Sequence, residues 1–182
     1  ILIKDLELPE GSYAMEAARS RVFASVAFMG VSQKKVAFPT LTGTVQYRPN
    51  DANGFDLRVA VDATQLDAGD MSDNEMLKGQ DFFDSNRYRE VVFHGTRLRI
   101  TGPKSAFVDG QLSVRGVSRP LSLRVSFPQP LETMSREGRL DLTASALAEG
   151  YATVDRETIE RDARARLAFL QELLGAVATD RV

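Results

Sequence analysis

The sequence predicts a mainly β protein, built as an antiparallel sandwich or barrel. Apolar and polar residues alternate along two segments, residues 55–62 (FDLRVAVD) and residues 121–127 (LSLRVSF). Period-two alternation places one face of a strand in a core and the other in water, as in an antiparallel sheet with one solvated face. Turn signals at Asn53-Gly54 and Gly102-Pro103 separate such segments at short intervals.

Four further segments are strand candidates: residues 22–28, 42–48, 91–100 and 107–115. With the two alternating segments they give at least six short strands, which is typical of a sandwich or barrel. Gly116 and the Arg119-Pro120 pair predict a short break between the last two strands, because glycine and proline interrupt regular structure.

Two segments depart from the strand pattern and predict helices. Residues 72–75 (SDNE) have the S-x-x-E form of a capping box, so we expect a short helix over residues 73–78. Residues 156–178 are rich in Ala, Leu, Arg and Glu, with Asp155 as a candidate N-cap. Apolar residues recur there at steps of three or four, which predicts one apolar stripe on a helix. The stripe comprises Ile159, Ala163, Leu167, Leu170, Leu174 and Val177.

The predicted C-terminal helix suggests a division of the chain into a β domain, residues 1–154, and a helical extension, residues 155–182. Its apolar stripe could pack on the β domain, pair with a second copy in a homodimer, or serve as a lid or at a membrane surface. The sequence leaves these three roles open.

Composition excludes several classes of protein. Hydrophobic residues make up 43% of the 182 residues and charged residues 26%, which is ordinary for a globular domain. A net charge of -2 gives no electrostatic reason to expect a nucleic-acid partner. No apolar run approaches the roughly 18 residues of a membrane-spanning helix. With no cysteine there is no disulfide or thiol chemistry. Because the chain starts at Ile1 rather than Met, we expect that an upstream segment has been removed.

The most informative segment runs from residue 71 to residue 95, where a short polar helix leads into Phe82 and Phe83, then a turn and a strand. Two adjacent phenylalanines are too apolar for an ordinary surface connection. They either close the end of a core or lie at the mouth of an apolar cavity. On an extended segment adjacent side chains point in opposite directions, so we expect at most one of the two to face a ligand.

The single histidine gives no sign of a metal or catalytic site. His94 alternates with Phe93, so if Phe93 points inward we expect His94 to point into solvent. A metal site needs several converging ligands, and the chain has one histidine and no cysteine. No nucleophile elbow, phosphate loop or zinc signature is present, so no cofactor is expected.

The acidic residues have ordinary structural explanations. Helix capping and a solvated loop account for the cluster of Asp67, Asp70, Asp73 and Glu75. Asp81 and Asp84 flank the phenylalanine pair and are expected to form turns, although they could also serve as an acid/base pair.

Three blocks of sequence resemble the YceI-like family of lipid-binding, polyisoprenoid-binding proteins. Residues 20–43 (SRVFASVAFMGVSQKKVAFPTLTG) are similar to the opening block of the family. Residues 62–93, with LKGQDFFDSNRYREVVF at their end, are similar to its Leu-x-x-x-x-Phe-Phe-Asp block. Residues 109–125 (DGQLSVRGVSRPLSLRV) are similar to its Gly-x-Leu-x-x-x-Gly-x-x-x-Pro-x-x-Leu block. The resemblance covers residues 12–127, about two thirds of the chain.

This resemblance implies an elongated, antiparallel, lipocalin-like β-barrel whose apolar lumen carries a long-chain isoprenoid or related lipid without catalysis. It also implies a periplasmic or secreted protein, with the cytoplasm left open, and a homodimer. The apolar stripe of the predicted C-terminal helix is the candidate interface for that homodimer. The candidate lumen residues are equally compatible with ordinary core packing. They are Phe28, Phe38, Leu41, Leu77, Phe82, Phe83 and Phe93.

The end of the chain departs from the family pattern. Family members return with an Arg-x-x-Phe-Gly segment and a final strand, whereas the sequence after residue 146 predicts a helix. We therefore expect an open barrel in which that helix covers the gap or fills the lumen.

Two other classes of function stay open. One is a dimeric structural or stress-related module whose lumen is filled by its own side chains. The other is an enzyme on an apolar substrate, with Asp81, Asp84, Tyr47, Tyr88 or Tyr151 as proton carriers.

Overall fold

The strands form one antiparallel sheet that curls into a barrel. The computed structural model describes residues 11–28, 32–48, 51, 53–130, 133–134, 139–148 and 171–181. These residues form ten strands, the α-helix α1, two short 3₁₀ turns at Ala17–Arg19 and Ala63–Gln65, and a helical pair at residues 133–134. The strands and the helix are β1 (Gly11–Met15), β2 (Arg21–Phe28), β3 (Ser32–Ala37), β4 (Leu41–Tyr47), β5 (Phe55–Asp62), α1 (Met71–Lys78), β6 (Glu90–Gly102), β7 (Ser105–Val114), β8 (Val117–Ser126), β9 (Arg139–Ala148) and β10 (Gln171–Arg181).

Strand pairing closes the sheet into a ring. Strands β4 to β10 pair in chain order, and β1 pairs with both β4 and β10. One edge of β10 pairs with β2 over residues 171–176 and with β1 over residues 179–181, and β3 pairs with β2. The sequence-based prediction of a mainly antiparallel β-barrel is therefore confirmed.

All six strands predicted from the sequence are present, but the predicted break after Gly116 is shorter than expected. Arg115 and Gly116 alone form the β7–β8 turn, with φ of 52° and 72°. Positive φ at both central residues is the mark of the two-residue turn that suits a twisted hairpin. Arg119-Pro120 instead lies inside β8. The described pairing of β8 with β9 covers Arg124–Ser126 and does not include Pro120, so the missing N–H of the proline interrupts no described pairing with β9.

The helix predicted over residues 156–178 is wrong from residue 171 onward, where the chain forms β10. Residues 155–170 lie outside the described residues. The alternate residues Leu173, Gly175 and Val177 pair with Ala146, Ala144 and Leu142 of β9, so this segment satisfies a strand period as well as a helical one. Helix propensity differs by only about 0.7 kcal/mol per ordinary residue, and pairing along both edges of β10 outweighs it.

Strands β9 and β10 also correct the expectation that closing strands are missing. Residues 171–181 belong to the sheet and not to a helical extension. The domain boundary proposed at residue 154 lies outside the described residues and stays a prediction.

The short helix α1 is present but begins two residues earlier than predicted. Asp70 is its N-cap, and the Asp70 carboxylate accepts a hydrogen bond of 2.8 Å from the backbone N–H of Asp73. That backbone hydrogen bond lowers the pKa of Asp70. Ser72 is consequently not the cap, because an ionised Asp caps a helix as well as Ser does and also favours the positive end of the helix dipole.

The two ends of the barrel differ. At one end, residues 63–89 connect β5 to β6 and include α1; we call this the helix end. The connections β4–β5, β6–β7 and β8–β9 lie at the other end, which we call the hairpin end. The hydrophobic core extends between the two ends, and its most buried side chains include those contributed by the helix end.

Candidate functional site

Apolar side chains occupy most positions that face the interior of the barrel. Residues paired across neighbouring antiparallel strands project to the same face of a sheet. One such row passes through Tyr13, Val45, Leu57, Gly95 and Gly110. Side chains in this row and its neighbours form a single hydrophobic cluster. The interior is therefore an apolar environment lined by strands from around the barrel.

The helix end is tightly packed by residues that the sequence nominated for the lumen. Six of them are at most 6% exposed and belong to one core cluster. They are Phe38, Leu41, Leu77, Phe82, Phe83 and Phe93. The rings of Phe38 and Phe83 meet edge to face at 5.6 Å, a favourable geometry for an aromatic pair. For the seventh candidate, Phe28, only the backbone position at the end of β2 is described. Contact of any of the seven with a ligand stays a prediction.

Phe82 and Phe83 both belong to the hydrophobic core, whereas an extended segment would place them on opposite faces. Both are buried, at 3% and 2% exposure. They lie in a tight turn after α1, in which the Phe82 N–H donates to the Gly79 carbonyl and the Phe83 N–H donates to the Leu77 carbonyl. The turn brings both rings into the core, so the pair closes this end of the barrel.

The hairpin end contains a group of apolar residues that sequence reasoning did not nominate for the lumen. They face the interior and pack against the core, but they are only partly buried. They are Val45, Tyr47, Phe55, Leu57, Leu98, Ile100, Leu123 and Leu142. We call this group the hairpin-end lining. Tyr47 and Phe55 are cross-strand partners within it, with ring centroids 6.4 Å apart. The alternation along residues 55–62 marked some of these positions as inward-facing, but only strand register shows that they share one end.

The other sequence candidates have structural roles. His94 is exposed as expected, and its Nε2 lies 2.6 Å from Asp56 Oδ1. Asp73 pairs with Lys34 of β3 at 2.6 Å, and this hydrogen bond raises the pKa of Lys34. The carboxylate of Asp67 accepts from the Gly69 N–H, and Asp70 caps α1, so the loop and capping explanation is confirmed for these two residues.

Of the residues considered for acid/base catalysis, Tyr47 belongs to the hairpin-end lining, and the others that the structure describes lie in turns or in packing positions. Asp81 is exposed, and Asp84 has a φ of 45° in the turn where its carbonyl accepts from the N–H groups of Arg87 and Tyr88. The Tyr88 ring packs close to Gly116. Tyr151 lies outside the described residues. Within the described part of the chain, no three His, Asp or Glu side chains come together as a metal site.

Comparison with known proteins identifies the family. The model of the YceI-like domain matches residues 13–171. The chain belongs to the YceI-like family. A UPF0312 protein of Vibrio campbellii is 26% identical over 128 residues, which cover 67% of this YceI-like chain and 68% of that protein. A UPF0312 protein of Shewanella sp. is 21% identical, over 60% of this chain and 57% of that one.

Solved structures share the fold of this YceI-like protein. BcnA of Burkholderia cenocepacia superimposes with a TM-score of 0.68 at 18% identity, over 92% of this chain and 99% of that one. A polyisoprenoid binding domain from Saccharophagus degradans, implicated in plant cell wall breakdown, has a TM-score of 0.64 at 13% identity, over 93% and 98% of the two chains. At these identities the likeness establishes the YceI-like architecture and nothing finer. Among the described residues, no helix combines the length and apolarity needed to span a membrane.

The outer face of the YceI-like barrel carries an ion pair that predicts acid sensitivity. Arg99 donates two hydrogen bonds to Asp109, of 2.7 and 2.8 Å, and Ser122 donates a third. The hydrogen bonds from Arg99 and then Ser122 lower the pKa of Asp109 to about 2. The unfolded-state pKa is near 3.9, so the ionised form stabilises the folded state. This contribution is present above about pH 4 and is lost as the pH falls toward 2.

We expect the substitution Asp109→Asn to remove this pH dependence. The difference in unfolding free energy between wild type and variant should be largest near neutral pH and should shrink between about pH 4 and pH 2. Urea titrations over this pH range measure it. Asp56→Asn is the matched control, because Asp56 also lies on the outer face but contacts His94 and no arginine in the described structure. An equal acid response for both variants would contradict the assignment to Asp109.

Proposed function

We propose that this YceI-like protein is a non-catalytic binding or carrier protein for a long-chain apolar lipid, such as a polyisoprenoid, held inside the barrel. The observation that carries the proposal is the hairpin-end lining. Its apolar side chains face the interior and continue the buried core, yet they remain partly exposed.

The physical chemistry of the lining suits an unbranched or prenyl-type chain. Each CH₂ group of a ligand gains about 0.8 kcal/mol when it leaves water, and the lining loses its own contact with water at the same time. Most interior-facing side chains that the structure describes are apolar, so length and width would select the ligand more than hydrogen bonding. The fold likeness to a domain described as polyisoprenoid-binding supports the same ligand class.

A carrier role without catalysis agrees with the chemistry of the described acidic residues. Asp70 caps a helix, Asp73 pairs with Lys34, and Asp84 forms a turn. None of these carboxylates belongs to the hairpin-end lining, where an apolar substrate would lie. We propose a periplasmic or secreted location on the basis of family membership.

A homodimer also remains a proposal, but β10 is a poor candidate for its interface. Strand β10 pairs with β9 along one edge and with β2 and β1 along the other. Because both edges are occupied, residues 171–181 offer no free strand edge to a second copy.

A matched pair of variants tests the carrier proposal. Val45 faces the interior in the hairpin-end lining, whereas its neighbour Thr44 is exposed on the outer face. Val45→Gln places an amide against the ligand and should weaken binding of geranylgeraniol by roughly tenfold, since an unpaired buried polar group costs about 1–3 kcal/mol. Thr44→Gln introduces the same side chain and should leave binding unchanged. Fluorescent-probe displacement measures both affinities.

Native mass spectrometry and lipid extraction of the purified wild-type protein complete the test. We expect a co-purifying lipid or saturable uptake of geranylgeraniol. If wild type neither carries lipid nor takes up the probe, the carrier proposal is wrong and an interior filled by its own side chains is favoured. Equal weakening by Val45→Gln and Thr44→Gln would place binding outside the lining.

A further inference from the structure

Within the described residues, β8 pairs with β9 at Arg124, Val125 and Ser126. By contrast, β8 pairs with β7 over its whole length, from Val117 to Ser126. The described part of β9 ends at Ala148, and its last residues form no pairs with Leu121, Ser122 or Leu123 of β8. These three residues of β8 therefore have a partner strand on one side only in the described structure.

The side chains of β8 that face the interior change from buried to exposed toward the start of the strand. Val125, Leu123 and Leu121 are buried or partly buried, and the row then continues with Arg119 and Val117, which are exposed. Arg119 pairs with Leu112 of β7, a core residue at 1% exposure, so the two project to the same face. An apolar row thus leads directly to a guanidinium group.

Among the interior-facing strand positions whose side chains are described, two carry a charge, Lys34 and Arg119. Lys34 pairs with Val26 across β2 and β3, which places it on the interior face, and Asp73 neutralises it at 2.6 Å. Arg119 has no ion pair with any described residue. A second cation lies on the same hairpin, where the Nε of Arg115 is buried and has no hydrogen-bond partner in the described structure.

We propose that the lipid held by the barrel is an amphiphile with an anionic head group, and that Arg119, in the interior-facing row of β8, binds that head group. The inference rests on the proposed function and specifies the charge of the ligand's head group. A guanidinium forms charge-assisted, often bidentate hydrogen bonds with phosphate or carboxylate. The apolar chain would extend from Arg119 along Leu121 and Leu123 toward the hairpin-end lining, and Arg115 would add positive charge beside the head group.

Three probes that differ in their head group test the proposal. Geranylgeranyl phosphate, palmitate and uncharged geranylgeraniol are titrated against wild type, Arg119→Gln and Arg119→Lys. We expect Arg119→Gln to weaken binding of at least one anionic probe by roughly tenfold or more, the effect of losing a hydrogen bond to a charged group, and to leave geranylgeraniol unchanged. Arg119→Lys keeps the charge and should recover part of the loss. The more affected anion identifies the head group as phosphate or carboxylate.

Arg97→Gln is the control for net charge, because Arg97 is exposed on β6 and its partner in the strand pairing, Asp109, lies on the outer face. It should leave all three affinities unchanged. If wild type binds geranylgeraniol but Arg119→Gln leaves both anionic affinities unchanged, the head-group inference is wrong and the carrier proposal stands. Equal weakening of the binding of all three probes would also refute the head-group inference. Failure of wild type to bind any probe would refute the carrier proposal itself. Thermal unfolding of each variant separates loss of binding from loss of fold.

Discussion

Replacing Phe83 with alanine is expected to lower the free energy of unfolding by about 3–5 kcal/mol, the usual cost of emptying a fully buried aromatic site. Phe83 is 2% exposed and meets Phe38 edge to face at the helix end. Its N–H is held by the Leu77 carbonyl in the turn after α1. The surrounding backbone therefore has little freedom to collapse into the cavity that the substitution leaves.

Chemical denaturation of wild type and Phe83→Ala measures this loss. Phe107→Ala is the matched control, because Phe107 lies on the outer face of β7, only partly buried beneath Arg99 and Arg124. We expect it to cost about 1 kcal/mol, within the range of ordinary substitutions. A similar loss for the two variants would mean that the phenylalanine pair does not close the barrel core.

Gly110→Ala should also destabilise the protein, by about 3 kcal/mol or more, because overpacking here strains the backbone itself. A Cβ atom on Gly110 would lie 2.2 Å from the carbonyl oxygen of His94 and 2.7 Å from the Cα of Gly95. Both contacts are with the neighbouring strand β6, next to the register shift between Gly95 and Arg97. Side-chain rotation cannot relieve either contact, so β6 and β7 must move apart.

Gly102→Ala provides the comparison, since Gly102 lies on the same pair of strands. There the new Cβ would meet only the Ser105 hydroxyl, at 2.9 Å, and that side chain can rotate away. Thermal and denaturant unfolding of the two variants should differ by at least about 2 kcal/mol. If Gly110→Ala unfolds like Gly102→Ala, the close approach of β6 and β7 at Gly110 is not required for stability.

Much of the barrel could be predicted from the sequence because its middle strands obey one period. Residues 55–62 and 121–127 alternate cleanly, since one face of each strand meets the core and the other meets water. The sequence did not predict β10, because its apolar residues do not alternate with polar ones: Leu173, Leu174, Ala176 and Val177 fall on both faces of a strand. Such a segment fits a helix or a strand, and only its pairing with β9, β2 and β1 decides between them.

The candidate site, like the fold, could be predicted only in part from the sequence. The apolar character of Phe82 and Phe83 predicted their burial, but the burial of both together depends on a turn that hydrogen bonds to α1 create. The hairpin-end lining could not be recognised as a group, because Val45, Leu98 and Leu123 meet only through strand register. Arg119 looked like part of a loop beside Pro120, and its interior-facing position follows from its pairing with Leu112.

The pairing of β1 with β10 has a consequence for the order in which the barrel assembles. Tyr13 lies opposite Arg181, so the ring closes between strands separated by almost the whole described chain. Contacts so distant in sequence slow folding, because the entropy of bringing the strands together is lost before the contacts stabilise anything. The local hairpins β4–β5, β6–β7 and β7–β8 can form without this closure. We expect these hairpins to form early in folding and the seam between β1 and β10 to be joined last, so that an incompletely folded molecule exposes its interior along that seam.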